Sequence, residues 1–230
     1  MLNFLRKLRR NNMKNSQYFK YAFGEIILVV VGILIALGIN NWNEERKISD
    51  EETRLLEKVK TENDYNIEIL LEDTAYFYSI EETTYFMAEN LKLPRSSKRD
   101  SIIGNSLNDV LRVVNMEFST DYLTRYINNS QNINDDLVYD FIELNDLFKS
   151  VKISSDMVSE YKFSNIMTEF EKSIDFIDGE IYDIRLLEKK EFVNRLAILS
   201  AIEQARSIAT RDCVAKAYKI DSLLNLRLNQ

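Results

Sequence analysis

The 230-residue chain has no histidine, one cysteine, one proline and only five glycines. Without histidine, the commonest general base is missing. So are Ser-His-Asp and Cys-His nucleophile pairs, and any zinc or di-iron site built on imidazole. The single cysteine, Cys213, excludes an internal disulfide and a cysteine-cluster metal site. It shares a helical stripe with Leu199, Ile202, Ala209 and Ile220, which reads as a small buried residue rather than a reactive thiol. A sheet protein needs many tight turns, and tight turns draw on Gly and Pro. Three of the five glycines, Gly24, Gly32 and Gly38, fall in one short stretch. The composition therefore predicts an all-α protein. No Gly-rich phosphate loop is present, and no calcium loop with its regular acids and glycine. Acid pairs such as Glu81–Glu82, Asp135–Asp136 and Glu169 with Glu171 read as solvated faces or helix N-terminal charges. The expectation is a chain that is not an enzyme, with no catalytic residue, no metal ligand and no cofactor.

What is present is distributed unevenly. Residues 1–20 carry +6 and no acid, which leaves −13 on the rest against −7 overall. So local a basic tip does not form a nucleic-acid-binding face. It suits a segment held at an anionic membrane surface. From Tyr21 to Ile39 run 19 residues with a single charge, Glu25. A helix needs about 20 residues to cross the ~30 Å hydrocarbon layer. Glu25 and Trp42 are separated by roughly 25 Å of helix, so each falls near one edge of that layer. Trp42 suits the interface on its side, and Tyr18 and Tyr21 the other. The basic residues precede the helix, which puts the N-terminus in the cytoplasm and the body across the membrane. A cleavable signal peptide is the competing reading, with Ala36–Gly38 as a weak cleavage site. The long basic region and the apolar run beyond that site favour an uncleaved anchor.

Glu25 has two readings. It is either an interfacial carboxylate favoured by the helix dipole, or a proton-linked or subunit-pairing acid. Its depth at the edge favours the first. Gly32 and Ala36 are spaced i, i+4 on the face that also holds Glu25 and Ile39. They are candidates for close approach of a second helix. Asn40, Asn41 and Trp42 mark the exit. The N-terminal segment, with Leu2, Phe4, Leu5 and Leu8 among basic residues, is either an amphipathic helix on the leaflet or a basic tail that sets topology.

Beyond Trp42 the chain turns charged but keeps a helical period. Leu56, Val59, Ile67, Leu70, Phe77, Ile80, Met87 and Leu91 form one narrow stripe, with Asn63, Thr74 and Thr84 in the intermediate turns. Residues 42–92 would span about 75 Å as one helix, and their stripe requires cover. The segment Leu93–Asp100 reads as a turn, with Pro94 stopping the helix. Ile103, Leu107, Val110, Leu111 and Val114 predict a second helix. The stretch 118–129 predicts another, capped by Ser119 or Thr120. A long pattern follows from Leu137 through Phe141, Phe148 and Phe170 to Ile177, with Gly179 ending or bending it. The last helix holds Phe192, Leu196, Leu199, Cys213 and Leu224. The 12 Tyr and 12 Phe read as core and bundle rim rather than a ligand pocket. The expected architecture is one N-terminal transmembrane helix continuing into an elongated antiparallel helical bundle. Its parts are a basic cytoplasmic segment (1–20), a transmembrane helix (21–41) and a helical-bundle domain (42–230).

The stretch GEIILVVVGILIALGINNWNEERK (Gly24–Lys47) resembles the hallmark of an uncharacterised family of small single-pass membrane proteins in Bacteroidota-type bacteria. The segment from Phe118 to Ile133 is similar to a second family segment at Ser119, Thr120 and Tyr122. It departs where the family has Ser-Gly and this chain has Asn129-Ser130-Gln131. The resemblance implies an inner-membrane anchor with a periplasmic helical domain, and it implies no activity. The function expected is a scaffold or accessory subunit of a membrane complex, in contact with lipid and with either copies of itself or another membrane protein. The alternative is a sensor of a periplasmic ligand or of envelope state, read out by a partner.

Overall fold

The fold is described from a computed structural model covering residues 2–129, 136–177 and 181–229. For residues 2–20, 22, 73, 75 and 78 the description is of the backbone alone. The expected break at Gly179 and the turn at 130–135 lie outside the described residues, as do the side chains of the N-terminal segment.

The described residues are mostly helical and include no strand beyond a single bridge between Ile174 and Ile181. Helix α1 runs Leu2–Leu91, α2 Ser97–Leu111, α3 Asp121–Asn129 and α4 Asp136–Tyr161. A π-helical segment, Lys162–Met167, leads into the short α5 (Thr168–Phe170). Helices α6 (Ile184–Leu187) and α7 (Lys190–Leu228) complete the chain. The chain divides into two compact units, Met1–Arg54 and Leu55–Gln230.

The first unit is helical and is exposed along its apolar run. The second is a bundle whose legs alternate in direction. From Leu55 on, α1 runs one way and stops at Leu91, three residues before Pro94, whose ring excludes a helical residue ahead of it. Ser96 caps α2, its hydroxyl accepting from the Arg99 amide at 3.3 Å. The turn is therefore shorter than expected, because Ser97–Asp100 already forms the first turn of α2. Helix α2 and the extended residues after it run back along α1. Tyr76 Oη donates to the Asp109 carbonyl at 3.2 Å, and Asn66 meets Ser119 further down. Helix α4 then runs parallel to α1. Helix α7 returns antiparallel to both, with Lys60 bonded to Asp221, Asn63 to Ala217, and Lys216 to Asp140.

Every apolar residue of the α1 stripe from Leu56 to Leu91 is buried. Asn63 and Thr84, which occupy the intermediate turns, are buried too. Two sequence expectations are corrected. Val114 is buried but lies beyond the end of α2, in extended chain, because the leg changes conformation at Arg112. Ile177 is 92% exposed, although Phe170 and Ile174 keep the pattern in the core, because the helix ends at Phe170 and Ile177 lies in the turns that follow. The core comprises two apolar clusters. One centres on Leu70, Phe141, Phe148 and Ile220, the other on Met87, Ile103, Phe170 and Leu196.

Candidate functional site

Two sets of residues have functional potential, one in each unit. In the first unit, α1 contains the one segment among the described residues long and apolar enough to cross a membrane, and none of its most apolar window is buried. Leu28 is 74% exposed and Val30 48%, on opposite faces of the helix. Such a helix gains nothing from water on any side. Glu25 is exposed, as are Asn40, Asn41 and Trp42. The exit residues tie into one another: Asn40 Nδ2 donates to Glu44 Oε1 at 3.3 Å, and the Arg46 guanidinium carbon sits 5.5 Å from the Trp42 ring centre. Gly32 and Ala36 are exposed, and a Cβ added at Gly32 would meet nothing within 4 Å. Among the described residues, nothing packs against Gly32.

In the second unit, the polar chemistry is concentrated in ties between legs. Glu62 of α1 takes three donors. The Ser119 hydroxyl donates to Oε1 at 2.8 Å, the Tyr122 amide to Oε1 at 3.2 Å and the Leu123 amide to Oε2 at 2.9 Å. One turn further, Asn66 accepts from the Ser119 amide at 3.0 Å and donates to its carbonyl at 2.6 Å. With α3 starting at Asp121, Thr120 holds the N-cap position. The free amides of the first turn, though, are taken by Glu62 from another helix. The helix starts where Ser119 and Thr120 lead one to expect, and an acid from another helix serves two of its first amides. A carboxylate meeting two helix-start amides has both the hydrogen bonds and the helix dipole in its favour.

Deeper in the bundle, Lys162 at the start of the π segment is 2% exposed. It donates to the Arg112 carbonyl at 2.8 Å and lies 3.0 Å from Glu203 Oε1 on α7. Glu203 also pairs with Arg206, whose guanidinium carbon stands 3.9 Å from the Phe77 ring centre. Burial pushes the Lys162 ammonium below its ordinary range, and Glu203 opposes that shift. Near one end of the bundle, Lys216 bonds Asp140 at 2.5 Å and also pairs with Glu143, while Asp140 takes Lys219 at 2.8 Å. Burial lowers the Lys216 pKa, but the two carboxylates more than offset it and the net shift is upward. At the other end Glu188 receives Arg95 in a two-pronged pair and Arg99 at 2.7 Å. The Arg95 pair holds its carboxyl down at about 2, with burial opposing and Arg99 reinforcing. Cys213 is buried, and burial raises its thiol to about 12.

The sequence pattern alone does not mark these bundle ties as a site. The available signal was a gap in the α7 stripe between Ile202 and Ala209, where Glu203 and Arg206 stand at buried positions.

Residues 25–85 are similar to a family of unknown function, DUF6090. The DUF6090 match starts at Glu25 and takes in Gly32, Ala36, Asn40, Asn41 and Trp42. It continues through Glu62, Asn66 and Thr84, so it covers both the apolar segment and the α1 side of the clamp on α3. No curated protein and no solved structure matches the chain.

Proposed function

We propose that this chain is a non-enzymatic, single-pass membrane protein whose helical bundle docks a partner, either copies of itself or another membrane protein. The observation that carries the reading is a helix apolar on all faces and fully exposed, joined in one chain to a bundle whose buried charges are engaged with one another. The first feature calls for lipid. The second leaves the bundle surface, rather than a reactive centre, as the working part. An inner-membrane setting with the bundle in the periplasm accords with the basic N-terminal segment. It also accords with the Bacteroidota-type family that Gly24–Lys47 resembles. Glu25 then marks the cytoplasmic boundary, and Gly32 with Ala36 offers the helix face for a second span.

The test is the mass and composition of the complex extracted from native membranes in mild detergent. A stoichiometric second protein, or a defined homo-oligomer, is expected. A strictly monomeric chain overturns the reading. A second reading, a sensor acting through a partner, is favoured by the buried ionic layer and the π segment, features suited to two packing states. Thermal stabilisation of the full chain by an envelope metabolite supports that reading, and no shift across such compounds rejects it.

A further inference from the structure

The apolar core of the 55–230 unit is interrupted. Along α1 the first cluster ends at Phe77 and the second begins at Met87. Along α4 the break falls between Val151 and Val158, and along α7 between Cys213 and Leu199. On all three helices the break lies at one level, and the buried side chains there are Ile80 on α1 and otherwise polar ones, including Thr84, Ser155, Glu203, Arg206 and Thr210. Lys162 reaches into the same level and ties the α2 C-terminus, the π segment and α7 together through the Arg112 carbonyl and Glu203. A polar sheet thus crosses the bundle between two oily blocks.

The two kinds of contact respond differently to opening. Apolar surface gains nothing when water replaces its neighbour. A charged group regains most of what it loses, because water supplies new hydrogen bonds and a high dielectric. The bundle therefore parts at the polar layer at less cost than through either cluster. The two blocks also differ in build. The Leu56–Phe77 block joins α1, α4 and α7 with α3 and the extended chain before it. The Met87–Leu199 block joins α1, α2 and the start of α7 with the π segment and the three- and four-residue helices α5 and α6. Local opening is drawn from regions of short elements and altered hydrogen-bond register.

We propose that the Thr84–Ser155–Lys162–Glu203–Arg206 layer is the boundary between two cooperative units, and that the Met87–Leu199 block opens to solvent while the Leu56–Phe77 block stays closed. This is a conformational device within the bundle. It does not require the chain to be a sensor, although a sensor would use it.

Hydrogen exchange of the full chain in lipid nanodiscs, followed by mass spectrometry over rising urea below the unfolding midpoint, tests it. Amides of 103–110 and 192–199 are expected to share one opening. Amides of 137–151 and 213–224 should share another, with protection higher by about tenfold or more. Glu203→Gln keeps the shape but leaves Lys162 facing a neutral amide. It is expected to speed exchange of the first set by about tenfold while leaving the second set nearly unchanged. One shared protection and urea dependence across both sets in the unaltered chain overturns the proposal. So does an equal response of both sets to Glu203→Gln, or none in the first. If that variant does not fold, the unaltered chain's two openings decide alone.

Discussion

A single carboxylate shows how the bundle is held. Glu62 is 6% exposed and serves as acceptor for Ser119, Tyr122 and Leu123, on a segment more than fifty residues away. Glu62→Ala removes the acceptor and strands two helix-start amides. It should destabilise the full chain by about 2 kcal/mol, the scale of a lost charged cap. Thermal unfolding of the full chain in detergent, followed by circular dichroism, measures this. A loss within ~0.3 kcal/mol, the range of ordinary surface changes, counts against the clamp. The residue also shows where sequence reading stops. Ser119 and Thr120 announce a helix start, since a short polar residue before a helix accepts from its amides. Nothing local in the sequence says that an acid on another helix takes that role. The same holds for Lys162 and Glu203, which are ordinary charged residues until the fold buries them together.

At the scale of elements, the helical period carried most of the information. The α1 stripe from Leu56 to Leu91 and the α7 pattern from Phe192 to Leu224 are visible because a long helix repeats its phase many times. The shorter pieces are not. Val114 continues the α2 pattern by spacing but sits in extended chain, and Ile177 continues the α4 pattern but is exposed in the turns that follow the helix. Those irregular pieces are secured by ion pairs rather than by length. The start of α2 is tied to the end of α6 by Arg95 and Arg99 on Glu188. The Glu188 carboxyl is held down at about 2 in the folded chain, against an ordinary value near 4.5. A depressed folded value means the pair stabilises above about pH 4.5. The contribution is lost as pH falls through that point toward about 2. Glu188→Gln should therefore cost about 1 kcal/mol between pH 5 and 8, the scale of a well-aligned, partly exposed pair. The difference from the unaltered chain should shrink progressively below pH 4.5. Urea titrations at several pH values compare the two chains, and a difference constant down to pH 3 contradicts the assignment.

At the scale of the molecule, the proposed span raises the question of which side of the membrane would hold which part. Orientation follows the count of Lys and Arg within about 15 residues of each end of the span, not the net charge. Before Tyr21 that count is six: Arg6, Lys7, Arg9, Arg10, Lys14 and Lys20. After Trp42 it is three, Arg46, Lys47 and Arg54. The many acids of the bundle contribute little to the bias. The full chain expressed in a bacterial inner membrane should expose its bundle to protease added to spheroplasts and protect it in inverted vesicles. Converting Arg6, Lys7, Arg9 and Arg10 to Gln leaves two basic residues before the span, fewer than the three that follow it. A mixed population, cleaved in both preparations, is then expected. Unchanged protection in that variant would mean that folding or translocation of the bundle, rather than the basic tip, sets the orientation. The acid at position 25 would then have to be explained without reference to a cytoplasmic boundary.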